Sequence, residues 1–130
     1  MKPPVLRVAR ACRDVQAMGG QYARALGFQV LSEWSDHAGF DGIILGHRQG
    51  PYHLEFIHDR KAAPPPVPHE EQLLVFYVDQ EDDWNRRCDM MLAAGFAVVR
   101  NGNPFWEAHG RTFVDAEGGR VVLHRGAWHR

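Results

Sequence analysis

Cysteine is scarce: Cys12 and Cys88 are the only two in 130 residues. Two do not make a disulfide framework, and their spacing is not that of a zinc site. A reduced, cytoplasmic compartment is therefore expected. Long apolar runs are missing as well. None approaches the roughly 20 residues that a membrane-spanning helix needs, and the opening MKPPVLRVAR lacks the continuous apolar stretch of a signal peptide. Neither sign of charge dominates. Fifteen Lys and Arg stand against sixteen Asp and Glu, for a net charge of −1. The basic residues are scattered, so no nucleic acid or membrane-surface partner is expected. No G-x-S-x-G, Walker or dinucleotide-binding motif occurs. What remains is a chain 45% hydrophobic and 24% charged, the composition of a soluble globular domain with a real core.

The proline cluster of RKAAPPPVPHEE, residues 60–71, splits the chain almost evenly. Such a segment neither joins a sheet interior nor continues a helix, so it reads as a stiff connector. Ahead of it, residues 5–59 begin with the strand-like VLRVAR. Asp14 then suits the cap of a helix carrying Val15, Met18, Tyr22 and Leu26 at helical spacing, ended by Gly27. The Gly19–Gly20 pair weakens the middle of that helix. FQVLSEW, FDGIILGH and YHLEFIH follow as three strands. Residues 72–125 repeat the plan. QLLVFYV is a strand, and a helix follows with Trp84, Cys88, Met91 and Leu92 on its packed face and Gly95 at its end. FAVVRN, RTFVD and RVVLHR complete the second half. The tokens ALGFQVL and AAGFAVV hold matching places. The expected fold is α+β, with two βαβββ modules in tandem forming one domain, 1–130, around a central cleft.

With the paired units, RDVQAMGGQYARALGFQVL and NPFWEAHGRTFVDAEGGRVVL in place, the chain resembles the vicinal oxygen chelate superfamily, which holds glyoxalases, bleomycin-resistance proteins and ring-cleaving dioxygenases. The second segment is similar to the family's ending: an aromatic-rich loop, a strand, a D-x-[DE]-G turn and a last strand. DHAGFDG and YHLEF point to the YycE-like subgroup. The resemblance spans nearly the whole chain. It implies a homodimer, and it implies that four inward positions on the first and last strands of each module hold a metal in metal-dependent members. Those positions carry Arg7, Glu55, Leu73 and Val122 here. Leucine and valine offer no lone pair, and a guanidinium stays protonated. Only Glu55 can ligate, against the three or so protein ligands of a catalytic site. No metal and no cofactor are therefore expected.

A buried lone carboxylate is expensive. The sequence thus suggests that Arg7 pairs with Glu55 in the vacated space, either as a handle for a ligand or as a structural plug. Glu55→Leu is expected to leave Arg7 buried and alone and to cost on the order of 3–5 kcal/mol, much of it recovered with Arg7→Met. His53 shares the strand face of Glu55, where it is a general base or a satisfied core or surface histidine. Trp34 and His37, in SEWSDHAGFDG, border the cleft mouth or serve core and turn. Phe105 and Trp106 stack on a planar or cationic guest, or else plug the sheet end. The other histidines (His47, His58, His69, His109, His124 and His129) show no tight metal spacing, although a shifted site of His53, Glu55 and His124 is conceivable. Two functions follow. One is a metal-independent small-molecule-binding protein using Arg7, His53, Glu55, Trp34, His37, Phe105 and Trp106. The alternative is a glyoxalase-like lyase, isomerase or dioxygenase using the shifted site or Glu55/His53 acid–base chemistry.

Overall fold

The computed structural model describes residues 1–128, which leaves His129 outside. The chain forms two compact units, one ending at Pro66 and the other beginning at Val67. No helix among the described residues is long and apolar enough to cross a membrane.

In the first unit, β1 (Leu6–Ala11) leads to α1 (Val15–Leu26), then β2 (Gln29–His37), β3 (Phe40–Gly46) and β4 (Tyr52–Asp59). The strands form one sheet in the order β1-β4-β3-β2. β1 runs parallel to β4, and the other neighbours are antiparallel. Asp14 caps α1 by accepting from the Ala17 amide at 2.9 Å, and Gly27 ends it in the left-handed conformation, φ 70°. The helix runs unbroken through Gly19 and Gly20. Gly19 is there for packing: a Cβ on it would lie 2.7 Å from Ile43 Cδ1. Its absence lets α1 settle on the sheet, burying Met18 and Tyr22 with Ile43, Leu45, Leu54 and Phe56. Each such aliphatic or aromatic side chain contributes roughly 1.5–3 kcal/mol of burial.

In the second unit, β5 (Leu73–Val78) is followed by α2 (Glu81–Ala93), β6 (Ala97–Val99), α3 (Pro104–His109), β7 (Gly110–Val114) and β8 (Arg120–Arg125). The sheet order is β5-β8-β7-β6, with β5 parallel to β8. Trp84, Cys88 and Met91 of α2 are buried, and Trp84 Nε1 donates to Leu123 O at 2.9 Å. Leu92 departs from expectation, because it is 46% exposed. Trp84, Cys88 and Met91 repeat at four and three residues, and the next position turns about 100° away from that stripe. Ala94 caps α2, and Gly95 follows at φ 92°.

The segment NPFWEAHG also departs from the expected loop, since it contains α3. Asn103 accepts from the Phe105 amide at 3.0 Å, and Pro104 opens the helix, the favoured order for a helix start. The DAEGG turn is tied by Asp115 Oδ1, which accepts from the Glu117 and Gly119 amides at 2.8 and 3.0 Å. Both units are thus βαβββ modules of an α+β fold, the second with α3 inserted.

Candidate functional site

Side chains of ladder partners lie on the same side of a sheet. Arg7 pairs with His53, Ala9 with Glu55, Ile44 with Glu55, and Trp34 with Gly42. Arg7, His53, Glu55 and Trp34 therefore share the face of the first sheet opposite α1. Arg7 and Glu55 do meet, with Nη1 to Oε1 at 3.6 Å. That is an ion pair without a hydrogen bond.

Expectation fails on depth. Glu55 is 13% exposed along its side chain, but Arg7 is 46% exposed. β1 is the edge strand of its sheet, and neighbouring Leu6 is exposed as well. A guanidinium so open to water keeps most of its hydration, so the pair contributes less than about 1 kcal/mol. The 3–5 kcal/mol expected of a buried pair does not apply.

Trp34 is held by an absence. Gly42 has no side chain, and the Trp34 ring occupies the space a Cβ would take. Trp34 also borders a recess of about 350 Å³ with Arg13, Asp14, Gln16, Asp41 and His58. His58 Nδ1 lies 3.0 Å from Cys12 O.

His37 stands at the tip of the β2–β3 hairpin, paired with Phe40 and exposed. The tip is tightly tied. Arg60 donates to Asp41 at 2.8 and 3.0 Å and to Ser35 Oγ at 3.0 Å, and its Nη1 lies 3.4 Å from Asp36. Those hydrogen bonds, with a further one from the Asp36 amide, hold the Asp41 carboxyl below its ordinary range.

In the second unit, Leu73, Val75 and Tyr77 face the same way as their partners Arg120, Val122 and His124. Val122 is fully buried. Around His124, α3 gathers an aromatic cluster. The Phe105 ring lies 4.9 Å from Trp106 and 4.5 Å from His109. Tyr77 is 4.6 Å from His124, and His109 is stacked 6.3 Å from it. Phe105 and Trp106 are thus in contact with each other. His124, considered from the sequence only as a ligand of a shifted metal site, joins them through its ring contacts, as do Tyr77 and His109, which were not expected there. For Tyr77 and His124 the signal was strand parity with Val75 and Val122. For His109 it was the four-residue spacing from Phe105 within the unforeseen helix.

The donor set at the four family positions does not fit a metal ion. Val122 and Leu73 are hydrocarbons, Arg7 is a cation in contact with Glu55, and one carboxylate does not make a catalytic site. Among the described residues, no three His, Cys, Asp or Glu side chains gather in a group able to hold an ion. The thiols offer no alternative chemistry. Cys12 and Cys88 are both buried and form no disulfide, and burial raises the Cys88 pKa, which disfavours the reactive thiolate.

Models of the YycE-like N-terminal domain and the YycE-like C-terminal domain match residues 6–57 and 71–125. The uncharacterised protein YycE of Bacillus subtilis (strain 168) is 32% identical over 118 residues, which is 91% of this chain and 85% of that one. A crystal structure of a Bacillus subtilis YycE protein of unknown function superposes with a TM-score of 0.86 at 30% identity, covering 97% of this chain and 91% of that chain. The fosfomycin resistance protein FosX from Mesorhizobium loti gives 0.69 at 14% identity, with 98% and 94% covered. The trypanothione-dependent glyoxalase I of Leishmania major gives 0.68 at 16% identity, with 96% and 88% covered. At those lower identities the likeness is one of fold.

Proposed function

Because this chain belongs to the YycE-like family of the glyoxalase/fosfomycin-resistance superfamily, we propose that it is a small-molecule-binding protein that works without a metal ion. The observation that carries this reading is the loose contact of Arg7 with Glu55. At 3.6 Å, and with Arg7 half exposed, the guanidinium keeps its fork of donors available to an incoming acceptor. Glu55 anchors the Arg7 side chain from one side and leaves the rest of that fork to a guest. His53, the ladder partner of Arg7, adds an imidazole on the same face. Trp34 adds an aromatic wall, and His37 stands on a hairpin fixed by Arg60. In the second unit, Phe105 and Trp106 offer ring faces. The protein acts as a homodimer in the cytoplasm, where Cys12 and Cys88 stay reduced.

Two measurements test this. Elemental analysis of protein purified without chelator is expected to find well under one equivalent of zinc, nickel or iron per chain. One tightly held equivalent would overturn metal independence. A thermal-shift screen with aromatic carboxylates and aromatic amines is expected to give hits that Arg7→Met removes. Hits indifferent to Arg7→Met, or no hits at all, would refute the assignment of Arg7 as the handle.

A further inference from the structure

The C-terminal end of the proline-rich connector lies against the loop that precedes α3. His69, Glu70 and Glu71 there, with Asn101, Asn103 and Arg120, line a recess of about 410 Å³ within the second unit. That volume falls in the range of small-molecule sites. The hydrogen bonds around it settle what each group can still offer.

The Glu71 amide donates to His69 Nδ1 at 3.0 Å. In the neutral ring Nδ1 is then the acceptor, and Nε2 is the nitrogen that carries the hydrogen. Asn103 Oδ1 accepts from the Phe105 amide at 3.0 Å, which leaves the NH2 of the same side chain as the free end. Arg120 contributes a guanidinium, donor only, on a side chain 20% exposed. Three donors therefore border one recess, beside the exposed carboxylates of Glu70 and Glu71, the latter 3.9 Å from His69 Nδ1.

The loop that carries Asn103 is tied down by hydrogen bonds. Buried Asn101 donates to Thr112 Oγ1 at 3.1 Å and accepts from the Asn103 amide at 2.8 Å, while its own amide donates to Glu107 at 3.0 Å. Such a loop needs little ordering when a guest binds. Glu70 already stands near the guanidinium, with Oε2 3.8 Å from Arg120 Nη2 and its side chain 66% exposed. That contact is too long for a hydrogen bond, and so exposed a pair is weak.

We propose that this recess binds the carboxylate of a small organic acid. Arg120 takes it with its planar fork, the Asn103 NH2 and His69 Nε2–H donate at its flanks, and Glu70 is a built-in competitor that a guest displaces. Fork-to-carboxylate pairing is the geometry in which arginine is strongest. This site is separate from the Arg7 handle and does not depend on it.

Succinate titrated into the full chain, with the Gly102 and Asn103 amide resonances followed by NMR, tests the proposal. Saturable shifts are expected, with binding roughly tenfold weaker in Arg120→Gln. Asn103→Asp is the sharper variant, because aspartate caps α3 as well as asparagine does while exchanging the donor for a repelling oxygen. It should lose succinate at an unchanged melting temperature. Glu70→Gln should tighten binding by about threefold by removing the competitor. Arg7→Met should change nothing. Succinate shifts indifferent to Arg120→Gln and Asn103→Asp would sink the site. Inorganic phosphate binding more tightly than succinate would overturn the carboxylate class.

Discussion

The two halves of this chain follow one plan and put opposite chemistry at matching places. On β4 of the first unit stands Glu55, a carboxylate leaning on Arg7; on β8 of the second stands Val122, fully buried. β2 runs nine residues and its Trp34 lies over Gly42, whereas β6 runs three and gives way to α3. The starts of the long helices differ too. Asp14 caps α1 with its side chain, while Gln80 makes no side-chain cap and α2 instead opens with Glu81, Asp82 and Asp83, whose charges suit a helix N-terminus. A shared backbone plan thus tolerates a carboxylate at one position and an aliphatic side chain at its match, because strand register, not side-chain type, sets where those residues point.

The largest expected effect comes from erasing that difference in the second unit. Val122→Glu places an unpaired carboxylate at a fully buried position and should destabilise on the order of 3–5 kcal/mol in urea denaturation. A cost below about 1 kcal/mol would show that the position is wet rather than dry. Gly42→Ala comes next. The new methyl group takes the place of the Trp34 ring, so a loss of about 1–3 kcal/mol and a changed Trp34 emission are expected. An unaltered spectrum would mean that the ring does not rest there. Glu55→Leu should do least, under about 1 kcal/mol, because Arg7 is already half exposed. A loss of several kcal/mol, recovered in the double variant with Arg7→Met, would show the pair to be buried after all.

Those expectations also mark what could be read in advance. The strands were legible because apolar alternation and glycine turns bound them, and Asp14 and Gly27 announced both ends of α1. The shared face of His53 and Glu55 was legible for the same reason, since alternation has a period of two, while Arg7 was placed with them by the family resemblance. Depth was not. Parity says which way Arg7 points but not that β1 is an edge strand, and the edge is what leaves it exposed. α3 was missed because Asn-Pro reads equally as a turn and as a helix start, and six residues are too few to show a helical period. The contacts of Phe105 and His109 with each other and with His124 depended on that helix and were hidden with it.

Trp34 is the only tryptophan of the first sixty-six residues; Trp84, Trp106 and Trp128 all belong to the second unit. Replacing those three with phenylalanine would leave a single tryptophan, which can be excited apart from the tyrosines, on the same sheet face as Arg7 and Glu55. An optical signal would then report the hydration and occupancy of that face alone, with no foreign label introduced.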